Sequence, residues 1–355
     1  MQAKKLKILF VIPTLSGGGA ERVVSILSGA MLKKGFDVAI HTTQSSKSTY
    51  ELEEGVKHLM STHNKKSPFI IIRQIRQAMK DYKPDIVISF LTFLNCLTLV
   101  ACRRFKGHVI VSERNDPALE TLPRRIARKI LYRRADGFVF QTETAKAYFS
   151  KKIQGRSTVI GNPLKPDLPN RHNGQRAKRI IGIGRLERQK NFPLLIESFK
   201  EFNEIMPNYT LEIFGEGYML EQLQKQIETL RLDKNAFLRG FASKNFHNDI
   251  KDSMMYVLSS DFEGVSNAML ECMAIGIPTI STDQKNGGPR QYINHGENGL
   301  IVPLCDKKAM VNAMLDIAKD EKFADKLSQN ATKVREELSM DKIASDWADF
   351  INLLH

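Results

Sequence analysis

The chain reads as an α/β protein made of two Rossmann-like units in tandem. Short apolar runs of strand length alternate with longer segments of helical periodicity, the pattern of a parallel sheet covered on both faces. That alternation starts twice, at residues 6–13 (LKILFVIP) and again at 178–184 (KRIIGIG). Between the two starts, residues 165–178 are polar and rich in Pro, Asn and Gly, the composition of a linker. A chain of 355 residues, 42% hydrophobic and 26% charged, has enough material for two ordinary cores. The boundary is expected near residue 165, giving domains 1–165 and 166–340. A final amphipathic helix is expected over about 341–355, with Ile343, Trp347, Phe350, Ile351 and Leu354 on its apolar side.

Composition narrows the function classes. No run reaches the ~20 apolar residues of a membrane span. The opening lysines and the short run 8–12 mimic a signal peptide, but a proline ends the run and no small-residue cleavage site follows, so a buried first strand is expected. Cys96, Cys102, Cys272 and Cys305 lack metal-ligand spacing and read as free buried thiols. Net charge is +14, distributed unevenly. Residues 1–165 hold 29 Lys and Arg against 12 Asp and Glu; the remainder holds 24 against 27. An anionic ligand or surface is therefore expected to meet the first half alone.

In the first half, strand 6–13 runs into Gly17, Gly18 and Gly19 and then a helical segment, 23–33. Arg22 stands where the dinucleotide fingerprint has its last glycine, and strand 37–43 ends without the acid that holds a nicotinamide ribose. NAD binding is not expected, and the glycines make at least a tight turn. Helix 68–82 and strand 84–90 follow. Strand 108–112 then ends in Ser112, Glu113, Arg114 and Asn115, at the strand end where open α/β sheets bind ligands. Glu113 and Arg114 read either as ligand-facing groups or as an ion pair shaping the loop.

Residues 122–134 (LPRRIARKILYRR) are amphipathic. Leu122, Ile126 and Ile130, with Ala127 and Leu131, share one side; Arg124, Arg125, Arg128, Lys129 and Arg133 lie mostly on the other. Such a helix either packs its apolar side on the core or meets an anionic membrane face or a pyrophosphate head group. Nucleic acid is disfavoured, because no aromatic interleaving or recognised binding module accompanies the charge. Strands 135–142 and 157–163 complete this half.

In the second half, strand 178–184 leads into Arg185 and Lys190 ahead of helix 192–206. Cations at a helix start oppose its dipole unless an anion lies between them. Strand 209–217 ends in Gly215 and Gly217, and 237–241 is a short strand with Gly240. Strand 254–260 feeds DFEGVSNAMLE, 261–271, which reads as a loop becoming a helix capped by Ser266 or Asn267. The free amides near Val265, Ser266 and Asn267 offer a seat for phosphate. Glu263 lies at its mouth and Glu271 deeper, on the helix. That layout suits a ligand with a diphosphate centre and hydroxyls at both ends, a nucleotide sugar. Strand 278–282, the turn 286–290 and strand 298–303 close the sheet.

The stretch DFEGVSNAMLECMAIGIPTI (261–280) resembles the signature of the retaining glycosyltransferases of the GT-B fold, family four, and GRLERQKN (184–191) resembles the same family's cation stretch. The resemblance implies two Rossmann-like domains facing across a cleft, with the last helix crossing back to the first domain. It also implies an enzyme that moves a hexose or N-acetylhexosamine from a UDP-sugar with retention, by front-face attack and without a metal or other cofactor. Arg185 and Lys190 are then matched to the donor diphosphate, where two fixed cations stabilise the departing charge. Glu271 takes the ribose hydroxyls, and Glu263 orients the donor sugar. Gly184, Gly215, Gly217 and Gly240 line the nucleotide, while Gly17, Gly18 and Gly19 approach the donor phosphates or the acceptor. Arg114 stands where the family commonly has a histidine. The implied acceptor is a polyprenyl-diphosphate-linked glycan of surface polysaccharide assembly, reached from the cytoplasm at the inner face of the plasma membrane. The alternatives are a UDP-N-acetylglucosamine 2-epimerase-like enzyme on the same fold and a non-catalytic partner subunit of a transferase.

Overall fold

Runs of β-branched and aromatic residues become strands here because helices cover both faces of each sheet. The computed structural model describes residues 5–45, 50–61, 67–240, 245–285 and 287–354. The chain divides into two units, one of Met1–Pro163 with Leu338–His355 and the other of Leu164–Glu337.

The first unit carries strands β1 (Lys7–Ile12), β2 (Asp37–Thr42), β3 (Lys57–Met60), β4 (Ile86–Phe90), β5 (His108–Ser112), β6 (Gly137–Phe140) and β7 (Ser157–Val159). Their order in the sheet is β3-β2-β1-β4-β5-β6-β7 and every pair is parallel. β1 is an interior strand beside the central β4, with Phe10 beside Ile40 on one side and Ile88 on the other. β3 escapes sequence reading because its four residues, KHLM, are largely exposed and lack alternation. Residues 46–49 and 62–66, on either side of β3 in the sequence, lie outside the described residues.

Helix Met340–Asn352 belongs to this unit. Its Trp347 is fully buried, with its ring centroid 6.2 Å from that of Phe90 at the end of β4. Phe350 and Leu354 lie against Gly137, where an added Cβ would come within 2.9 Å of both side chains. The amphipathic pattern of 341–355 thus finds its apolar partner in the first sheet.

The second unit carries β8 (Ala177–Ile183), β9 (Thr210–Phe214), β10 (Ala236–Leu238), β11 (Ser253–Leu258), β12 (Thr279–Thr282) and β13 (Leu300–Val302). Their order is β10-β9-β8-β11-β12-β13, again parallel throughout. Phe192, Phe199 and Phe202 of helix Phe192–Ile205 pack with Leu211, Ile213 and Val257 of the sheet. Of the four cysteines, Cys96, Cys102 and Cys272 are buried, whereas Cys305 is exposed. It lies on a surface turn with φ 58°, after β13, rather than in the core. Phe241 and Asn286, read above as parts of a strand and a turn, lie outside the described residues.

Candidate active site

The C-terminal ends of β8, β9 and β11 build the site. Gly184 directly follows β8 and Gly215 directly follows β9, and the Gly215 N–H donates to the Gly240 carbonyl at 2.7 Å. Gly215 has φ 149°, and a Cβ there would stand 1.9 Å from the Gly184 carbonyl oxygen. Only glycine lets the two strand ends approach that closely. Gly217 lies against the Leu186 backbone in the same way, 2.4 Å separating its would-be Cβ from that carbonyl.

Beyond β8 the chain makes a short turn, Arg188–Lys190, and Asn191 caps helix Phe192–Ile205 in the left-handed region. Beyond β11 the loop 259–266 runs alongside, and four hydrogen bonds stitch the two together. The Asp261 N–H donates to Gln189 O at 2.9 Å, Asn191 Nδ2 to Asp261 Oδ1 at 2.7 Å, Gln189 Nε2 to Phe262 O at 2.8 Å, and Ser259 Oγ to Lys190 O at 2.8 Å. Glu263 and Lys190, 73 residues apart in sequence, meet across this seam. Lys190 Nζ donates to Glu263 Oε1, which also accepts from Ser260 Oγ at 2.8 Å. Both side chains are largely shielded, so the pair is set in a medium where charge interactions are strong. Arg185 is different: it is exposed and reaches Glu187 at 3.1 Å.

Ser266 caps helix Asn267–Ala274 by accepting from the Met269 N–H at 3.4 Å. Val265 is buried just before the cap, and Asn267 is the first helical residue. Glu271 lies on this helix and is buried, and His247 Nε2 donates to its Oε2 at 3.1 Å. His247 comes from helix Phe246–Ile250, whose Phe246 packs edge-on against Phe214 at 4.9 Å. Sequence reading missed His247, Ser260, Asn191 and Asp261 as members of the site. His247 lies 24 residues upstream of Glu271 with no motif around it, so only the fold reveals that pairing.

In the first unit, Gly18 caps helix Gly19–Lys33. The Glu21 carboxylate folds back over it, accepting from Thr14 Oγ1 at 3.2 Å. The chain's own acid thus lies over the glycine loop that was expected to approach the donor phosphates or the acceptor. Glu113 and Arg114 are both buried but do not form the ion pair that was one expectation. Glu113 accepts from Tyr132 Oη and, at 2.9 Å, from Thr92 Oγ1, and burial raises its carboxyl above the ordinary 4.5. Arg114 Nε donates to Ser112 Oγ and Nη1 to Asn162 Oδ1, each at 2.8 Å. Its guanidinium lies 5.1 Å from the Phe90 ring centroid and 5.9 Å from that of Trp347. Arg114 therefore ties the β5 end to residue 162 and to the last helix.

Helix Leu122–Leu131 meets the packing alternative only in part: of its apolar side, Ala127 and Leu131 pack against the core. Leu122, Ile126 and Ile130 are 67%, 53% and 60% exposed, while Arg128 is only 4% exposed. Arg124 pairs with Glu120 at 3.4 Å, and Arg125, Lys129 and Arg133 are exposed. Periodicity locates an apolar stripe but does not say whether the core or something else covers it.

The family models match over nearly the whole chain: Glycosyltransferase Family 4 over residues 17–168 and Glycosyl transferases group 1 over residues 167–334. The chain belongs to this family and is a glycosyltransferase of the GT-B fold. It is 25% identical over 358 residues to GalNAc-alpha-(1->4)-GalNAc-alpha-(1->3)-diNAcBac-PP-undecaprenol alpha-1,4-N-acetyl-D-galactosaminyltransferase of Campylobacter jejuni, covering 98% of each chain. Among solved structures it resembles sucrose-phosphate synthase from Thermosynechococcus elongatus, with TM-score 0.85, 17% identity and 99% coverage of both chains. It also resembles Anabaena HepE in complex with UDP, with TM-score 0.83, 16% identity and coverage of 98% of this chain and 100% of that one.

Proposed function

We propose that the chain transfers a hexose or N-acetylhexosamine from a UDP-sugar, with retention and without a metal, to a polyprenyl-diphosphate-linked glycan at the inner face of a membrane. The observation that carries this reading is the Lys190–Glu263 pair beside the capped helix that bears Glu271. The pair is held in place by backbone stitching before any ligand arrives, which is the condition for electrostatic preorganisation. On binding, the donor's β-phosphate takes Lys190 as its counter-charge. Glu263, released from that partner but still held by Ser260, accepts from donor-sugar hydroxyls. Glu271, fixed by His247, accepts from the ribose hydroxyls. Arg185, exposed and loosely paired, swings onto the diphosphate as a forked donor. These two cations carry the charge that builds on the leaving diphosphate, a task a divalent metal performs elsewhere. The leaving phosphate oxygen takes the acceptor's proton, so no protein base is required. The second unit is the donor-binding domain and the first, with its basic surface, the acceptor-binding domain. The undecaprenol-linked acceptor in the Campylobacter relative's name supports the acceptor class, and the UDP complex of HepE supports the donor class.

The test is UDP release from UDP-sugars against GDP- and ADP-sugars, with an undecaprenyl-diphosphate glycan as acceptor and EDTA present. Anomeric proton coupling in the product reads retention. Activity only with added metal, or inverted product, contradicts the reading. An epimerised free sugar formed without acceptor would replace transfer by epimerase chemistry.

A further inference from the structure

The first unit carries a groove of about 770 Å³ between helix Leu122–Leu131 and the segment 148–156, which the transfer reaction above does not use. Six basic residues, Arg125, Arg128, Lys129, Arg133, Lys152 and Arg156, line it, and no Asp or Glu among the described residues does. Two of these cations are unsatisfied. Arg128 is buried; its Nη2 donates to Pro117 O at 2.9 Å, and the guanidinium lies 5.2 and 5.0 Å from the Tyr148 and Phe149 ring centroids. Its Nη1 has no partner among the described residues. Arg156 Nη1 donates to Ala135 O at 2.6 Å, whereas Nε and Nη2 are closed off from solvent and have no partner among the described residues. Glu113, the acid whose field reaches Arg128, has both oxygens engaged by Tyr132 and Thr92.

Buried N–H donors on a cation are normally matched. Two such groups in one groove mark the place of an anion that no described residue supplies. The surroundings specify its class. Leu122, Ile126 and Ile130 form an exposed apolar stripe on the same helix, and Tyr148 adds a half-exposed ring. A free phosphate has no use for that stripe, whereas an amphiphile has use for both halves.

We propose that this groove seats the phosphate headgroup of an anionic bilayer lipid. Arg128 and Arg156 turn their unmatched N–H groups onto the phosphate. Arg125, Lys129, Arg133 and Lys152 meet neighbouring headgroups, and Leu122, Ile126 and Ile130 enter the boundary of the acyl chains. The assignment rests on the membrane-face reading given above and adds to it a defined single-headgroup site.

The full chain is floated with vesicles of phosphatidylcholine alone or mixed with phosphatidylglycerol, with no glycan acceptor present. Wild type is expected to float only with the anionic mixture. Arg128→Gln/Arg156→Gln is expected to weaken that binding about tenfold. Arg103→Gln/Arg104→Gln removes the same charge from exposed positions of the same unit, and is expected to weaken binding by no more than about twofold. Equal losses for the two double variants, or an Arg128→Gln/Arg156→Gln chain that melts like wild type and binds unchanged, overturn the groove while leaving the membrane reading standing. Wild type that ignores anionic lipid overturns the membrane reading itself. Because the buried arginines also brace their neighbours, amide hydrogen exchange of wild type gives a second readout. Anionic vesicles are expected to slow exchange in 122–134 and 148–156. Slowing confined to other segments, or equal slowing by inorganic phosphate alone, overturns the lipid assignment.

Discussion

The proposed donor site in the second unit and the groove in the first are both rich in cations, but they are finished differently. In the donor site each charged group has a partner of its own: Lys190 with Glu263, Arg185 with Glu187, Glu271 with His247. In the groove, Arg128 and Arg156 keep N–H groups without partners among the described residues. A paired site holds its geometry when empty and exchanges partners on binding; an unpaired one depends on its ligand for counter-charge. Catalysis needs the first kind, because donors aimed at developing charge must not reorganise during the reaction. Docking tolerates the second.

Breaking the paired site should produce the largest effect. Glu263→Ala and Lys190→Ala should each lower kcat/KM about 100–1,000-fold per folded molecule, measured by UDP release with the folded fraction fixed by calorimetry. The double variant should lose far less than the product of the two single losses, because the residues act as one unit. Full additivity would mean that the pair is an accident of the empty site. His247→Ala should raise the donor KM by about 10-fold, as expected when a buried carboxylate loses its hydrogen bond. His247→Gln should recover part of that loss, and an unchanged KM would remove His247 from the site. Ser266→Ala should lower stability by about 0.5–1 kcal/mol through the lost cap, read by urea unfolding.

The smallest effect tests the unpaired side. Burial raises Glu113 above its ordinary 4.5, so the folded state binds the proton more tightly than the unfolded chain does. Its stabilising contribution is complete below 4.5 and is lost as pH rises through the folded value. Glu113→Gln cannot ionise. Its stability relative to wild type should therefore improve as pH climbs from 4.5 toward neutrality, measured as the difference in urea midpoints. A constant difference would mean that Glu113 is ionised throughout and neutralises Arg128.

Much of the fold was legible because buried parallel strands are apolar runs and each unit repeats them. LKILFVIP and KRIIGIG become β1 and β8, interior strands of their sheets. β3 was not legible, since an exposed edge strand of four residues has no pattern to read. In the donor site, the stretches around Lys190 and Glu263 stood out as local chemistry, and Ser266 as a cap. His247 did not, because a lone histidine gains meaning only when the fold brings it to Glu271. Helix Leu122–Leu131 shows a third limit: its stripe was plain in the sequence, while its direction depends on Arg128 finding Pro117 O and two aromatic rings.

Lys190 is proposed to belong to a nucleoside-diphosphate site in the second unit. Thermal unfolding of wild type and Lys190→Ala over a UDP titration tests it most directly. UDP should raise the wild-type midpoint in a saturable way, adding about 2.7 kcal/mol at a hundredfold excess over Kd, and the gain should largely vanish in Lys190→Ala. A wild type unmoved by UDP, GDP and ADP alike, or a Lys190→Ala variant stabilised as much as wild type, would contradict it.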